Sequence, residues 1–245
     1  MKEKLIQHLE TYVAALAEFW GREDGPKGLE ILSKQSVPES VDVKVGFEIL
    51  KKAMGRSAAQ TGDGTKLTAL ILFGLLRGLE DISLEELRTE DFGKLSLIVK
   101  TELELLSKDM PGHFEPMIPG GGSSLYNIIP ELRQTDLKGT AILNVAERGL
   151  QEPLIRMIAK VNLPIERTLL KISELTPKVY SLNHLGLDSS IPLERRKRHE
   201  RVYGVNLTKN RVEEMKRADI LDPLSVVMGS FQNAVHGLGD LVNLI

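Results

Sequence analysis

The 245-residue chain is 42% hydrophobic, with 32 basic and 34 acidic residues and a formal charge of −2. There is enough apolar material for a large buried core, and nothing forces disorder or a strongly charged partner. The absence of cysteine excludes disulfides and thiolate metal sites. No apolar run approaches the roughly 20 residues that span a bilayer. The start Met1-Lys2-Glu3-Lys4 leads into an amphipathic pattern, unlike a signal peptide. These features predict a soluble, cytoplasmic protein.

Leu5, Leu9, Val13, Leu16, Ala17 and Trp20 mark one face of a first helix, with Gly21 as its stop. A turn-rich loop, Asp24-Gly25-Pro26-Lys27-Gly28, precedes the apolar run 29–32, which reads as a short strand. Val45, Ile49, Leu50, Ala53 and Met54 recur at helical spacing and end at Gly62; a second helical pattern starts with Leu67, Leu70 and Leu72. Between them lies Thr61-Gly62-Asp63-Gly64-Thr65, with Thr65 at or near an N-cap. Ser83 and Glu86 form a capping-box pattern ahead of a longer helix from Thr89 through Leu106.

The 110–116 segment, with Pro111, Gly112 and Pro116, interrupts regular structure. Pro119-Gly120-Gly121-Gly122-Ser123-Ser124 then reads either as a linker or as a close-approach loop whose serines open a helix. Helices are predicted over 137–161, with Pro153 kinking or restarting the first, and over 163–175. The 202–207 stretch has strand character and 211–218 looks helical. Asp222-Pro223 reads as the N-cap and first-turn proline of a last helix.

Two glycines bare the backbone N–H groups at 62–65, and a helix begins there, so the corner suits an anion. Asp63 would repel a phosphate unless a cation sat between them, which points to a Mg-nucleotide; ordinary turn chemistry accounts for the same residues. Asp222 as a cap and Asn206 as a turn residue have equally plain structural readings. The five histidines (His8, His113, His184, His199, His236) show no paired metal spacing, and no Ser–His–Asp arrangement is visible. The basic run 195–201 is flanked by Glu194 and interrupted by Glu200, so a solvated face is expected rather than a nucleic-acid site.

Taken in order, Gly25-Pro26-Lys27-Gly28, Gly62-Asp63-Gly64-Thr65, Gly120-Gly121-Gly122 and Ile220-Leu221-Asp222-Pro223 resemble the equatorial, ATP-binding domain of the chaperonins. The likeness is greatest to the group I branch. Tyr203-Gly204-Val205-Asn206 and Ala146-Glu147-Arg148-Gly149-Leu150-Gln151-Glu152-Pro153-Leu154 are similar to that branch too. The resemblance covers roughly 9–108 and 119–241. It implies a mainly α fold, an equatorial-like helical bundle with a small β-hairpin. The single domain 1–245 would be formed from 1–109 and 117–245, joined by the linker 110–116 where the family inserts its intermediate and apical domains.

The resemblance also implies a site. Gly25 and Pro26 would border the phosphates, Asp63 would hold Mg2+, and Gly64 and Thr65 would donate to phosphate oxygens. Gly121 would approach the ribose, Asn206 the adenine, and Asp222 would accept from the ribose hydroxyls. Lys66 and Leu67 stand where the family carries further threonines; Lys66 either neutralises phosphate or fills the pocket and excludes the metal. The 33–43 stretch lacks the family's second Asp-Gly phosphate contact. The water-orienting aspartate belongs to the intermediate domain, so no catalytic residue is assigned. The expectation is ATP or ADP binding with at most weak hydrolysis, or a scaffold that keeps only the fold. Expected partners are proteins, either a full-length chaperonin or a second copy, in a monomer or small oligomer. No membrane partner is expected.

Overall fold

The computed structural model describes residues 2–18, 27–36, 40–108, 114–120, 122–176 and 201–243. Gly21, Gly25, Pro26, Gly121 and 195–200 of the basic run lie outside them. The described chain is mainly helical. Helix α1 spans Lys2–Glu18, α2 Gly28–Ser33, α3 Val41–Thr61, α4 Thr65–Gly78 and α5 Thr89–Lys108. Strand β1, Met117–Pro119, is followed by the short helices α6, Ser123–Asn127, and α7, Ile129–Leu132. Then come α8, Ala141–Lys160, and α9, Ile165–Leu175. Strands β2, Tyr203–Asn206, β3, Arg211–Glu214, and β4, Leu221–Pro223, precede the last helix α10, Leu224–Val242.

Helix α4 is the axis of the molecule. Every residue from Leu67 to Leu76 is buried, so this helix has no solvent face and needs neighbours on all sides. It lies among α1, α3, α8 and α10. Its approach to α8 is close because glycines face each other's backbone. A Cβ on Gly74 would lie 2.6 Å from the Arg148 carbonyl, and one on Gly149 would meet Leu75 Cγ at 2.6 Å. One apolar core draws on residues from both sides of the 110–116 segment, from Leu9, Leu50 and Leu103 to Ile118, Val145 and Phe231. A smaller cluster of Leu154, Ile158, Ile172 and Val205 seats the β2–β3 hairpin on α8 and α9.

Several local expectations change. The 29–32 run is helical, not a strand: Glu30 at the third position of α2 accepts from the Lys27 N–H at 3.3 Å, and Ile31 and Leu32 face the core together. The 211–218 stretch is not a helix. Asn210, at φ 51°, turns the chain back so that β3 pairs antiparallel with β2, Asn206 opposite Arg211. Asp222 is not the cap of α10. It sits in β4 opposite Ile118 of β1, and Pro223 is the cap residue, leaving Leu224 as the first helical position. Helix α8 starts at Ala141 rather than 137 and continues unbroken through Pro153. The carbonyl that Pro153 leaves without its helical donor belongs to Gly149, which has no side chain to crowd the ring. The Ser83–Glu86 pattern caps one 3₁₀ turn, Leu84–Glu86, through a Ser83 N–H to Glu86 Oε1 bond of 3.3 Å.

Candidate functional site

The 62–65 loop joins α3 to α4 through two left-handed glycines. Gly62, at φ 73°, closes α3 with its N–H on the Ala58 carbonyl, and Gly64, at φ 78°, precedes the first residue of α4. Asp63 is exposed between them, its Oδ1 accepting from the Gly64 N–H at 2.7 Å. The side of Gly64 that lacks a Cβ faces α10. A Cβ there would overlap Ser230 Oγ and lie 3.2 Å from Val226 Cγ1. The Gly64 carbonyl accepts from the Thr68 N–H and the Thr68 hydroxyl, each at 2.9 Å, and from the Ser230 hydroxyl at 3.1 Å.

A buried polar relay stands behind that carbonyl. The Asn233 amide donates to Ser57 Oγ at 3.1 Å, and Ser57 Oγ lies 2.6 Å from Thr68 Oγ1. The same amide nitrogen also donates to Gln60 Oε1 at 3.1 Å. Ser57, Thr68 and Ser230 are completely buried, so each hydroxyl depends on these partners.

Thr65 is almost fully buried, and its Oγ1 accepts from the Gly28 N–H at 3.1 Å. This bond ties the start of α2 to the start of α4. Lys66 is half-buried in the first turn. Burial pushes its ammonium below the ordinary lysine range, and the neighbouring Asp63 carboxylate pulls the other way.

The second cluster forms where β1 meets β4. The Gly120 N–H donates to the Ile220 carbonyl at 2.9 Å, and a Cβ on Gly120 would sit 3.0 Å from Asp222 Oδ2. Gly122, at φ 71°, leads into α6. Ser123 is completely buried against Gly204, and its hydroxyl has no hydrogen-bond partner among the described residues. This contact seats the β2–β3 hairpin on α6.

Asn206, at the end of β2, is buried and committed locally. Its Oδ1 accepts from the N–H groups of Thr208 and Lys209 at 3.0 Å, and its Nδ2 donates to Glu213 Oε2 at 2.7 Å. One amide hydrogen remains for another acceptor. Hydrogen bonds from Arg211 and then Asn206 hold the Glu213 carboxyl below the usual glutamate range.

Asp63 and Gly64 therefore stand immediately before Thr65 and Lys66, which open α4, and this junction abuts Val226 and Ser230 of α10. Val226 is four residues beyond Asp222, about 6 Å of helix rise or about 13 Å of strand. Ser57, Thr68, Ser230 and Asn233 were not singled out in the sequence, and Gly28 only as the last residue of the 25–28 motif. The readable signal was polar residues at positions 230 and 233, on the apolar face marked by Val227, Phe231 and Ala234. Among the described residues no group of three or more acids or histidines could hold a metal. An exposed carboxylate beside backbone donors nevertheless suits Mg2+, which binds through one or two carboxylates with water and substrate phosphates.

A separate cavity of about 460 Å³ lies at the other end of α4, lined by Arg77, Asp81, Asn144, Glu147, Arg148 and Gln151 among others. None of the sequence-predicted site residues among the described ones lines it. Among the described residues no helix is long and apolar enough to cross a membrane. No protein-family model matches the chain.

Proposed function

We propose that this chain is a chaperonin-equatorial-like domain that binds an adenine nucleotide with weak or no hydrolysis and acts by contact with another protein. The single observation that carries this reading is the position of the 62–65 loop. It touches Gly28 on one side and the first two turns of α10, at Val226 and Ser230, on the other, so residues from both halves of the sequence meet at one anion-suited corner. In this reading the start of α4 would take the phosphates, and Asp63 would hold a Mg2+ that neutralises their charge. Asp222 beside Gly120 accepts from the sugar hydroxyls. Weak turnover follows from the lack of an assigned base or water-orienting acid, since losing one such stabiliser costs ~100- to 1,000-fold in rate. The protein partner would be a full-length chaperonin or a second copy, in the cytoplasm.

Calorimetric titration with Mg-ADP and Mg-ATP tests the reading. Wild type is expected to bind in the micromolar to millimolar range, and Asp63→Ala to bind at least roughly tenfold more weakly, the loss expected for one charge-assisted contact. No heat at millimolar nucleotide would sink it. Lys66→Thr in the same series separates the two roles of the lysine: tighter binding marks it as a block, weaker binding as a phosphate contact. A second reading, a scaffold without ligand, is favoured by Asn206, whose amide is largely consumed by its own hairpin. Nucleotide co-purifying with the protein would count against it.

A further inference from the structure

We propose that Ser230 of α10 is a positioning residue for the nucleotide site: it holds the Gly64 carbonyl turned into the protein, so that the Thr65 N–H faces outward to a phosphate. This rests on the nucleotide-binding reading above and adds to it a part played by a helix from the other end of the chain. The peptide between Gly64 and Thr65 is trans, so its carbonyl and its N–H point in opposite directions. Glycine on its N-terminal side makes that peptide easier to turn over than one following any other residue. Turned over, it would present an oxygen to an anion instead of a hydrogen.

The structure surrounds the carbonyl with more donors than a helix supplies. The Thr68 N–H is the ordinary first helical bond at 2.9 Å; the Thr68 and Ser230 hydroxyls add bonds of 2.9 and 3.1 Å. Both side chains are fully buried, so neither hydroxyl has water as an alternative. The Asn233–Ser57–Thr68 relay supplies a second route from α10 to the same oxygen, at 3.1 and 2.6 Å. Helix α10 thus grips the loop at Ser230 and Asn233, while β4, which runs straight into its first turn, carries Asp222. One continuous stretch, β4 running into α10, carries both the groups that fix the loop and the sugar-side aspartate.

The test uses the full chain with Mg-ADP as the probe. Ser230→Ala is expected to weaken Mg-ADP binding roughly five- to tenfold, the effect of one net hydrogen bond, with unchanged far-UV circular dichroism. In 15N-labelled wild type the Thr65 amide signal is expected to move on Mg-ADP addition, and to move less at saturation in Ser230→Ala. A residue that only stabilises the fold would lower Tm and leave both readouts unchanged. Thr68→Val, which removes the other side-chain donor to the same oxygen, is expected to act in the same direction. Wild-type affinity in Ser230→Ala, or a Thr65 amide that ignores Mg-ADP in wild type, overturns the proposal while leaving nucleotide binding intact. A wild type that binds no nucleotide overturns the functional reading first.

Discussion

The 62–65 loop and the β2–β3 hairpin are both turns beside candidate site residues, but they are held in opposite ways. The loop is fixed from afar: Ser230 is 166 positions away from Gly64, Asn233 is 176 from Ser57, and Gly28 is 37 from Thr65. The hairpin fixes itself, with Asn206 bonding partners two, three and seven residues away. A turn secured by its own residues forms wherever that sequence occurs, so its polar groups are consumed locally. A loop secured by distant elements depends on the whole fold for its shape. The loop is therefore the better ligand corner, and the hairpin the better structural clip.

Substituting Gly64 with alanine should break the comparison most severely. The new Cβ would require a left-handed backbone at φ 78° and would overlap Ser230 Oγ. Together these should cost about 2–4 kcal/mol, read as a lower midpoint in urea unfolding. Alanine at Gly62, also left-handed but with nothing within 4 Å of the added carbon, should cost only the backbone share of about 1–2 kcal/mol. Equal losses at the two glycines would mean that the contact with α10 does not constrain the loop.

A smaller loss is expected on the hairpin side. Asn206→Ala removes the acceptor for two turn N–H groups and a donor to Glu213. The turn residues Thr208 and Lys209 are exposed, so water replaces part of what is lost, and about 1–2 kcal/mol is expected. Chemical shifts in the 62–65 loop should stay unchanged, because nothing in the hairpin's bonding reaches it. Loop shifts moving with this variant would show that the two regions are coupled after all.

The same contrast explains what could be read from the sequence. Helices α3, α4 and α5 are announced by apolar spacing and by Gly62, because those signals are local. The role of Ser230 could not be read, since its partner lies in a loop 166 residues earlier. Asp222 was legible as a special position but its place was not. Its strand pairing depends on Ile118, which is far away in sequence, whereas the cap reading needs only the following proline. The 211–218 stretch misled for a related reason. Its charged residues suit a helix, and only Asn210 in a left-handed turn brings them back beside β2. In the candidate site, the acid and glycines of the loop were visible, while the groups holding them in place were not.

The mildest prediction concerns pH and sharpens the hairpin half of the comparison. Glu213 accepts from Arg211, Asn206 and Lys209, and these bonds favour its ionised form. Its folded-state pKa is depressed, so its contribution to stability is present above the ordinary glutamate range. That contribution is lost as pH falls from there through the depressed folded value. Acid should therefore loosen the hairpin before it disturbs the core, where the Gly64 carbonyl is held by the Thr68 N–H and the Thr68 and Ser230 hydroxyls, which do not titrate in this window. Amide exchange of Val205 and Val212, followed from neutral to acidic pH, should rise earlier than that of Thr68, and Glu213→Gln should flatten the rise. If the hairpin and the loop loosened together in wild type, a shared acid transition would be responsible, and the local bonding of Glu213 would not account for it.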